Sequence, residues 1–246
     1  MVMRMIRRWH DRERARLRAA LNAPDTTQWE NLGLWSHAGQ SYADAARALA
    51  LKVADSAALG SSHSVLDIGP GQSDEQRTLW QSQFAIGEYY PWERASAAPP
   101  VRQWDHVLAV DSAYFVPALW STLETLWPRV KPGGSITWTD LYLKAPVSGA
   151  GTRLRLWATG RLSGIPHDHW RTLDVWARRV ETLTQHPAHI EDLTDDVLGG
   201  FVRHMAQRRS DPPNPGLRLA HGTARLLAPL LETGTVGYGL FRMRRA

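Results

Sequence analysis

The fold is decided by the stretch Ser64-Val65-Leu66-Asp67-Ile68-Gly69-Pro70-Gly71-Gln72-Ser73-Asp74-Glu75-Gln76. A short apolar run ends in an acid and two spaced glycines, and the polar segment that follows has the composition of a helix start. This order predicts a strand at 64–68, a tight turn, and a helix at about 73–83 that begins with a capping box of Ser73 and Gln76. It is typical of the first unit of an open α/β sheet, in which ligands bind at the turn.

The turn differs from the dinucleotide-binding fingerprint, which has glycine at its first, third and sixth positions. Gly69 and Gly71 occupy the first two, but the sixth position is Asp74, and Glu75 follows. Two carboxylates at a helix start would repel a pyrophosphate, which binds there through the positive end of the helix dipole. The pattern therefore favours a ligand without phosphate and with a positive charge, such as S-adenosylmethionine. A plain tight turn without a ligand is the alternative.

The rest of the chain alternates strand and helix patterns, which predicts a mostly parallel sheet with helices on both faces. A second strand is predicted at 84–87 with Glu88 at its end, followed by a loop at 89–103. Further strands are predicted at 105–110, 135–141, 189–193 and 236–243. Helices are predicted at 40–57, 115–128, 150–185 with a break at 164–167, 195–208 and 217–232.

The size and composition of the chain indicate one globular domain with an appended cap. The chain has 246 residues, of which 43% are hydrophobic, and this length suffices for a substantial core. We expect a basic arm and cap helices in 1–60 and the main domain in 61–246. The absence of cysteine fits a reducing compartment, and no apolar run approaches the ~20 residues of a transmembrane helix. We therefore expect a cytoplasmic protein, with a mitochondrial location as the alternative.

The formal net charge of +5 comes from one end of the chain. Residues 1–22 contain enough arginine to account for all of it, so the remainder is neutral. The sequence thus has a basic arm but no basic surface, which disfavours a nucleic-acid partner. The arm is interpreted as a helix docked on the domain. Targeting, membrane or RNA contact, and binding of a protein partner are the alternatives.

The sequence resembles the class I S-adenosylmethionine-dependent methyltransferases that act on small molecules, of the sterol, tocopherol and macrolide type. The resemblance spans residues 30 to 244 in patches that follow the family's order. The segments that carry it are 31–35, 65–71, 104–114, 129–134, 191–197 and 237–241.

This resemblance implies a Rossmann-like methyltransferase sheet whose last strand is antiparallel, with S-adenosyl-L-methionine as cofactor. By the same resemblance, Asp67, Gly69 and Gly71 bind the methionine end. Glu88 lies 21 residues after Asp67 and would bind the ribose. Asp111 lies near the sulfonium.

The resemblance also implies an acceptor site for a small, apolar or aromatic molecule under a lid insertion at about 145–187. Asp111, Tyr114 and His167 are the candidate catalytic residues, although no general base is evident. Trp35, Tyr114, His167 and Trp170 are the candidate substrate-binding residues. No metal site is predicted, because His167 and its neighbour His169 lack further spaced ligands.

The middle of the chain departs from the family pattern. Only 16 residues separate Glu88 from Asp105, where the family has a helix, a third strand with an adenine-contacting acid, and another helix. A single crossover already takes ~10–12 residues, so the third strand is expected to be missing. The main hypothesis is methyl transfer. The alternatives are a degenerate protein that keeps the fold as a binding or assembly partner, and a pocket that serves another reaction.

Overall fold

A computed structural model describes residues 15–23, 26–71, 73–93, 99–166, 169–208 and 215–246. Within these ranges, six strands form one mixed sheet in the order β2-β1-β3-β4-β6-β5. Neighbouring strands are parallel from β2 to β4, whereas β6 runs antiparallel to both β4 and β5. The strands are β1 (Ser64–Ile68), β2 (Glu88–Trp92), β3 (Trp104–Ala109), β4 (Val130–Leu143), β5 (His189–Asp192) and β6 (Val236–Arg244).

Eight α-helices of the described chain surround this sheet. They are α1 (15–22), α2 (Tyr42–Ala57), α3 (Glu75–Phe84), α4 (Leu119–Leu126), α5 (Ala150–Ser163), α6 (Leu173–Thr184), α7 (Gly200–Gln207) and α8 (Pro215–Glu232). A π-helical turn at Asp195–Gly199 leads into α7. None of the helices in the described ranges combines the length and apolar character that crossing a bilayer requires.

The two faces of the sheet pack into separate hydrophobic cores. On one face, the apolar side of α2 and Trp80 of α3 cover Val65 and Leu108. On the other face, Trp138 of β4 stacks on Phe241 of β6, with ring centroids 5.2 Å apart. Alternation along β4 sends successive side chains to opposite cores. The sheet is therefore covered on both sides, as the predicted α/β class requires.

The second strand lies later in the chain than the sequence predicts. Helix α3 continues through Phe84 and ends at Ala85, whose φ of 51° is left-handed. Gly87 then passes close to the backbone of Ser62, where a Cβ atom would lie at 3.0 Å. Strand β2 begins only at Glu88, which pairs with Ser64 at the start of β1. The prediction that Glu88 closes the second strand is wrong, and part of the predicted loop is strand.

The predicted loss of the third strand is confirmed. The described residues between β2 and β3 are Glu93 and 99–103, and none of them lies in a strand. Strand β3 pairs with β1 on the side opposite to β2. Within the described chain, β2 is therefore the edge of the sheet.

The predicted capping box is wrong. Asp74, not Ser73, is the N-cap of α3, and its side chain makes no capping hydrogen bond. The amide Nε2 of Gln76 instead donates a hydrogen bond to Asp67 Oδ2 at 2.5 Å. A buried carboxylate needs a donor more than the exposed start of a helix does.

Helix α7 depends on a close approach that only glycine permits. A Cβ atom at Gly200 would lie 2.4 Å from the buried Trp35 ring, whereas one at Gly222 in α8 would meet nothing within 4 Å. We expect Gly200→Ala to lower the free energy of unfolding by about 1–3 kcal/mol through overpacking. Gly222→Ala is the matched control and should raise it by about 0.5–1 kcal/mol through helix propensity. Equal urea midpoints for the two variants would contradict this packing.

Candidate functional site

A cavity of about 170 Å³ opens at the carboxyl ends of the first three parallel strands. Its floor is formed by the turn after β1 and by residues that follow β2 and β3. Helix α1 and residues 29–31 form the roof. Open α/β sheets bind ligands at this edge, where the strand order reverses, and it is here that the structure brings several of the predicted residues together.

The turn after β1 requires both of its glycines. Gly69 and Gly71 have φ values of 64° and 79°, which favour glycine. A Cβ atom at Gly69 would lie 3.2 Å from Ser112 Cβ, and one at Gly71 would lie 2.7 Å from Glu30 Oε2. The backbone of this turn is therefore exposed to the cavity, where a ligand can approach it closely.

Asp67 lies behind the cavity and is completely buried. Its Oδ2 accepts hydrogen bonds from Gln76 Nε2 at 2.5 Å and from the Tyr89 hydroxyl at 2.6 Å, while Oδ1 has no partner in the described residues. Burial raises the pKa of Asp67 to about 7, although the bonds from Tyr89 and Gln76 act against the rise. Asp67 therefore reaches the cavity only through Gln76, which lines it.

Asp111 lines the cavity and connects four parts of the fold. Its backbone is left-handed, with a φ of 53°, and its N–H donates to Thr139 Oγ1 on β4 at 2.8 Å. Oδ1 accepts from the hydroxyls of Tyr114 and Tyr238, and Oδ2 accepts from the backbone N–H of Leu32, each at 2.7 Å. Burial raises the pKa of Asp111, and the two tyrosine hydrogen bonds counteract it.

The roof of the cavity carries a pair of opposite charges. Arg18 of α1 pairs with Glu30 at 2.5 Å, and both side chains line the cavity. The roof is attached to the floor, because the N–H of Gln28 donates to Glu75 Oε1 at 3.0 Å. Leu17 and Leu21 of α1 add apolar lining beside this pair.

The structure brings Glu93, not Glu88, to the cavity. Glu93 directly follows β2 and lines the cavity. Glu88 lies at the other end of β2, where its side chain is 57% exposed and pairs with Arg102. The position that the sequence assigned to Glu88 is thus taken by a residue five places later. Sequence reasoning missed Glu93 because the apolar run at 84–86 was read as the strand.

The predicted acceptor residues do not line this cavity. Tyr114 is buried beneath Phe115, a lining residue that the sequence did not single out. Trp35 is buried, donates its indole N–H to Leu32 O at 2.9 Å and contacts the His204 ring. Trp170 lies against α5. The remaining candidate, His167, lies outside the described residues.

A second polar pair is buried near Tyr114. His169 Nε2 lies 2.5 Å from Asp140 Oδ1, and both side chains are buried. Burial raises the pKa of Asp140, while the charge and hydrogen bond of His169 lower it. The ring centroid of His169 is 6.4 Å from that of Tyr114. The sequence feature that could have pointed to Asp140 is its position as a single acid inside the apolar run of β4.

The raised pKa of Asp67 predicts a pH-dependent stability. Below pH 3.8 the carboxyl is protonated in both states, and between about 4 and 7 it ionises in the unfolded chain only, so stability falls as pH rises. Asp67→Asn, which imitates the protonated acid, should be more stable than the parent by about 4 kcal/mol above pH 7. The difference should shrink towards pH 4 in urea unfolding. Asp55→Asn, at an exposed position, is the control and should follow the parent at every pH.

Comparisons with known proteins agree on the fold. No family model matches the chain, and no curated protein matches its sequence. Its structure is similar to that of geranyl diphosphate C-methyltransferase from Streptomyces coelicolor A3(2), solved with S-adenosyl-L-homocysteine. In that comparison the TM-score is 0.69, the identity 12%, and 95% of this chain and 98% of the other are covered.

Two further solved structures extend the comparison. The [4+2]-cyclase SpnF has a TM-score of 0.63 and 16% identity, and the match covers 94% of this chain and 92% of the other. Phosphoethanolamine N-methyltransferase 2 from Haemonchus contortus, with S-adenosyl-L-methionine, has a TM-score of 0.62 and 11% identity over 80% of this chain and 52% of the other. The chain therefore has the fold of the small-molecule class I S-adenosylmethionine-dependent methyltransferases.

Proposed function

We propose that the protein binds S-adenosyl-L-methionine and transfers its methyl group to a small, apolar or aromatic acceptor. The observation that carries this proposal is the position of the cavity. The glycine turn, Glu93 and Asp111 meet there, at the carboxyl ends of β1, β2 and β3. The shared fold supports the proposal, since several solved proteins with this fold contain the cofactor or its demethylated product.

The residues around the cavity fit the parts of this cofactor. Its amino-acid end is a zwitterion, and Arg18 and Glu30 offer one charge of each sign beside the Gly71 backbone, which the Glu30 carboxylate contacts. The Glu93 carboxylate would bind the ribose hydroxyls. The Phe115 ring offers an aromatic surface to the adenine.

The roof has to move for binding. The cavity of about 170 Å³ is smaller than the roughly 300–1,000 Å³ of ordinary ligand pockets. Side chains of α1 fill part of the space, and we expect Arg18 and Glu30 to move aside when the cofactor enters, because their ion pair is partly exposed. Helix α1 itself is held at its carboxyl end by Arg208, which donates hydrogen bonds to the carbonyl oxygens of Ala20 and Leu21.

When bound, the cofactor supplies an electrophilic methyl group on a sulfonium, and methyl transfer leaves a neutral thioether. The chain's own contribution would be to align the acceptor and exclude water. The pair of His169 and Asp140 is buried and does not line the cavity. We therefore assign no general base, and the proposal is limited to acceptors that react by alignment alone.

Cofactor binding tests the proposal, and Glu93 supplies the sharpest variant. We expect S-adenosyl-L-homocysteine to bind in calorimetry and Glu93→Ala to weaken that binding about tenfold or more, as the loss of a charge-assisted hydrogen-bond acceptor should. Glu88→Ala is the control and should bind within about twofold of the parent, because Glu88 lies at the far end of β2. No binding of the cofactor or its product at millimolar concentration would refute the proposal.

The two charges of the roof predict which part of the ligand Arg18 recognises. Arg18→Ala should weaken the binding of S-adenosyl-L-homocysteine about tenfold, as the loss of a charge-assisted contact does, but not that of 5′-methylthioadenosine, which lacks the amino-acid end. Equal losses for both ligands would show that Arg18 acts by holding the roof in place. Unchanged affinity for both would remove the assignment.

A degenerate protein that acts as a binding or assembly partner is the second candidate. The small cavity and the absent third strand favour it. It predicts that neither ligand binds, and that a protein partner is recovered with the intact chain and lost when residues 1–22 are deleted. Transfer of a labelled methyl group to any acceptor in a panel of small aromatic and lipophilic molecules would exclude it.

A further inference from the structure

Helix α5 presents three large apolar side chains to solvent. Leu154, Trp157 and Leu162 are 64%, 54% and 62% exposed. They make up most of the exposed large hydrophobic side chains in the described chain, and they lie within nine residues of one another. Single exposed apolar residues are common on protein surfaces, whereas a cluster marks a contact site.

The cluster lies on the side of α5 that faces away from the protein. The buried positions of α5 are Leu156, Thr159 and Gly160, which define the packed side of the helix. At 100° per residue, Leu154 projects opposite this packed side, and Trp157 and Leu162 lie at the two edges of the outward side. Apart from Leu156, the groups packed inward are small or polar, whereas three large apolar side chains are turned outward.

Positive charge surrounds the apolar cluster. Arg153, Arg155 and Arg161 are all exposed, and the helix contains no acidic residue. By helical geometry, Arg161 projects within the outward side, while Arg153 and Arg155 flank it on either side. Leucine and tryptophan interleaved with arginine on one exposed surface can contact both the acyl boundary and the phosphates of a headgroup layer.

We propose that α5 docks the protein on the surface of a membrane that contains anionic lipids. Leu154, Trp157 and Leu162 enter the boundary between headgroups and acyl chains, and the three arginines bind lipid phosphates. Basic side chains next to an anionic leaflet gain attraction that falls off over the screening length. The proposal does not depend on the methyl-transfer hypothesis, although a docked α5 would hold the predicted lid next to a lipophilic acceptor.

The same residues disfavour a second copy of this chain as the occupant. In a twofold contact, each partner presents the same patch, so the arginines of one α5 would face those of the other. The described helix contains no acidic group that could separate these like charges. An anionic lipid surface satisfies both the apolar and the charged part of the patch.

Vesicle flotation with the full-length protein tests this inference. We expect flotation with vesicles of phosphatidylcholine and phosphatidylglycerol, and weak flotation with phosphatidylcholine alone. The double variant Leu154→Asp/Trp157→Asp should lower the partition coefficient about tenfold or more, because it places charge where apolar groups insert. Val101→Asp is the control: Val101 is 89% exposed but lies outside the patch, so flotation should be retained. Both variants keep the basic arm, so the comparison isolates α5.

A second pair of measurements separates the charge from the apolar contact. Arg153→Ala/Arg155→Ala should reduce flotation with anionic vesicles and leave that with neutral vesicles unchanged. Far-ultraviolet circular dichroism of all variants should match that of the parent, since the substituted residues are exposed. The inference is wrong if the parent does not float, or if the Leu154/Trp157 variant floats like the parent. It is also wrong if sedimentation shows a dimer that this variant dissociates without any flotation of the parent.

Discussion

The carboxylate of Asp111 is the contact on which the site depends. It is buried at the end of β3 and receives three hydrogen bonds, from two tyrosines and from the backbone of Leu32. A buried charge without such donors would cost several kcal/mol, so the surrounding groups must stay where they are. These bonds hold the segment around Leu32, the turn after β3 and strand β6 in fixed positions relative to one another. This carboxylate forms part of the cavity wall, so the hydrogen bonds that fix its position also fix that part of the wall.

The roof and the floor of the cavity differ in how firmly they are held. The floor belongs to the sheet, whose central strands β1 and β3 are buried and joined to their neighbours by ladders of backbone hydrogen bonds. The roof rests on α1 and on a partly exposed ion pair between Arg18 and Glu30, a type of contact that contributes little to stability. A ligand that offers its own charges can replace such a pair at low cost. The ion pair is thus the least firmly held part of the roof, because Arg208 anchors the carboxyl end of α1 through the carbonyl oxygens of Ala20 and Leu21.

The fold could be predicted from the sequence because its signals are local and repeated. The turn at Gly69 and Gly71 lies between a strand and a helix, strands alternate with helices, and the described residues of the short middle segment contain no third strand. The boundary of β2 was wrong, because a run such as Phe84–Gly87 fits the end of a helix as well as a short strand. Tertiary packing decides between them. That error placed Glu88, rather than Glu93 five residues later, at the carboxyl end of β2.

The parts of the site that come from distant segments could not be read from the sequence. Arg18 and Glu30 reach the cavity only because α1 folds back over the sheet. The sequence predicts that the arm docks on the domain, but no local pattern encodes where it docks. Asp140 and His169 are 29 residues apart, and nothing in the sequence marks them as partners. Side chains that the sequence singles out for substrate binding, such as Tyr114 and Trp35, are buried in the structure.

The shortened middle of the chain has a consequence for self-association. The described residues hold no further strand beyond β2, so β2 lies at the edge of the sheet, where unpaired backbone groups can pair with the strand of another molecule. Pro91, the fourth of the five residues of this strand, lies opposite Asp67 and has no N–H to offer to an incoming chain. Glu88 and Arg102 add charge beside it. The strand that now forms this edge thus has features that disfavour edge-to-edge pairing between two copies of the protein.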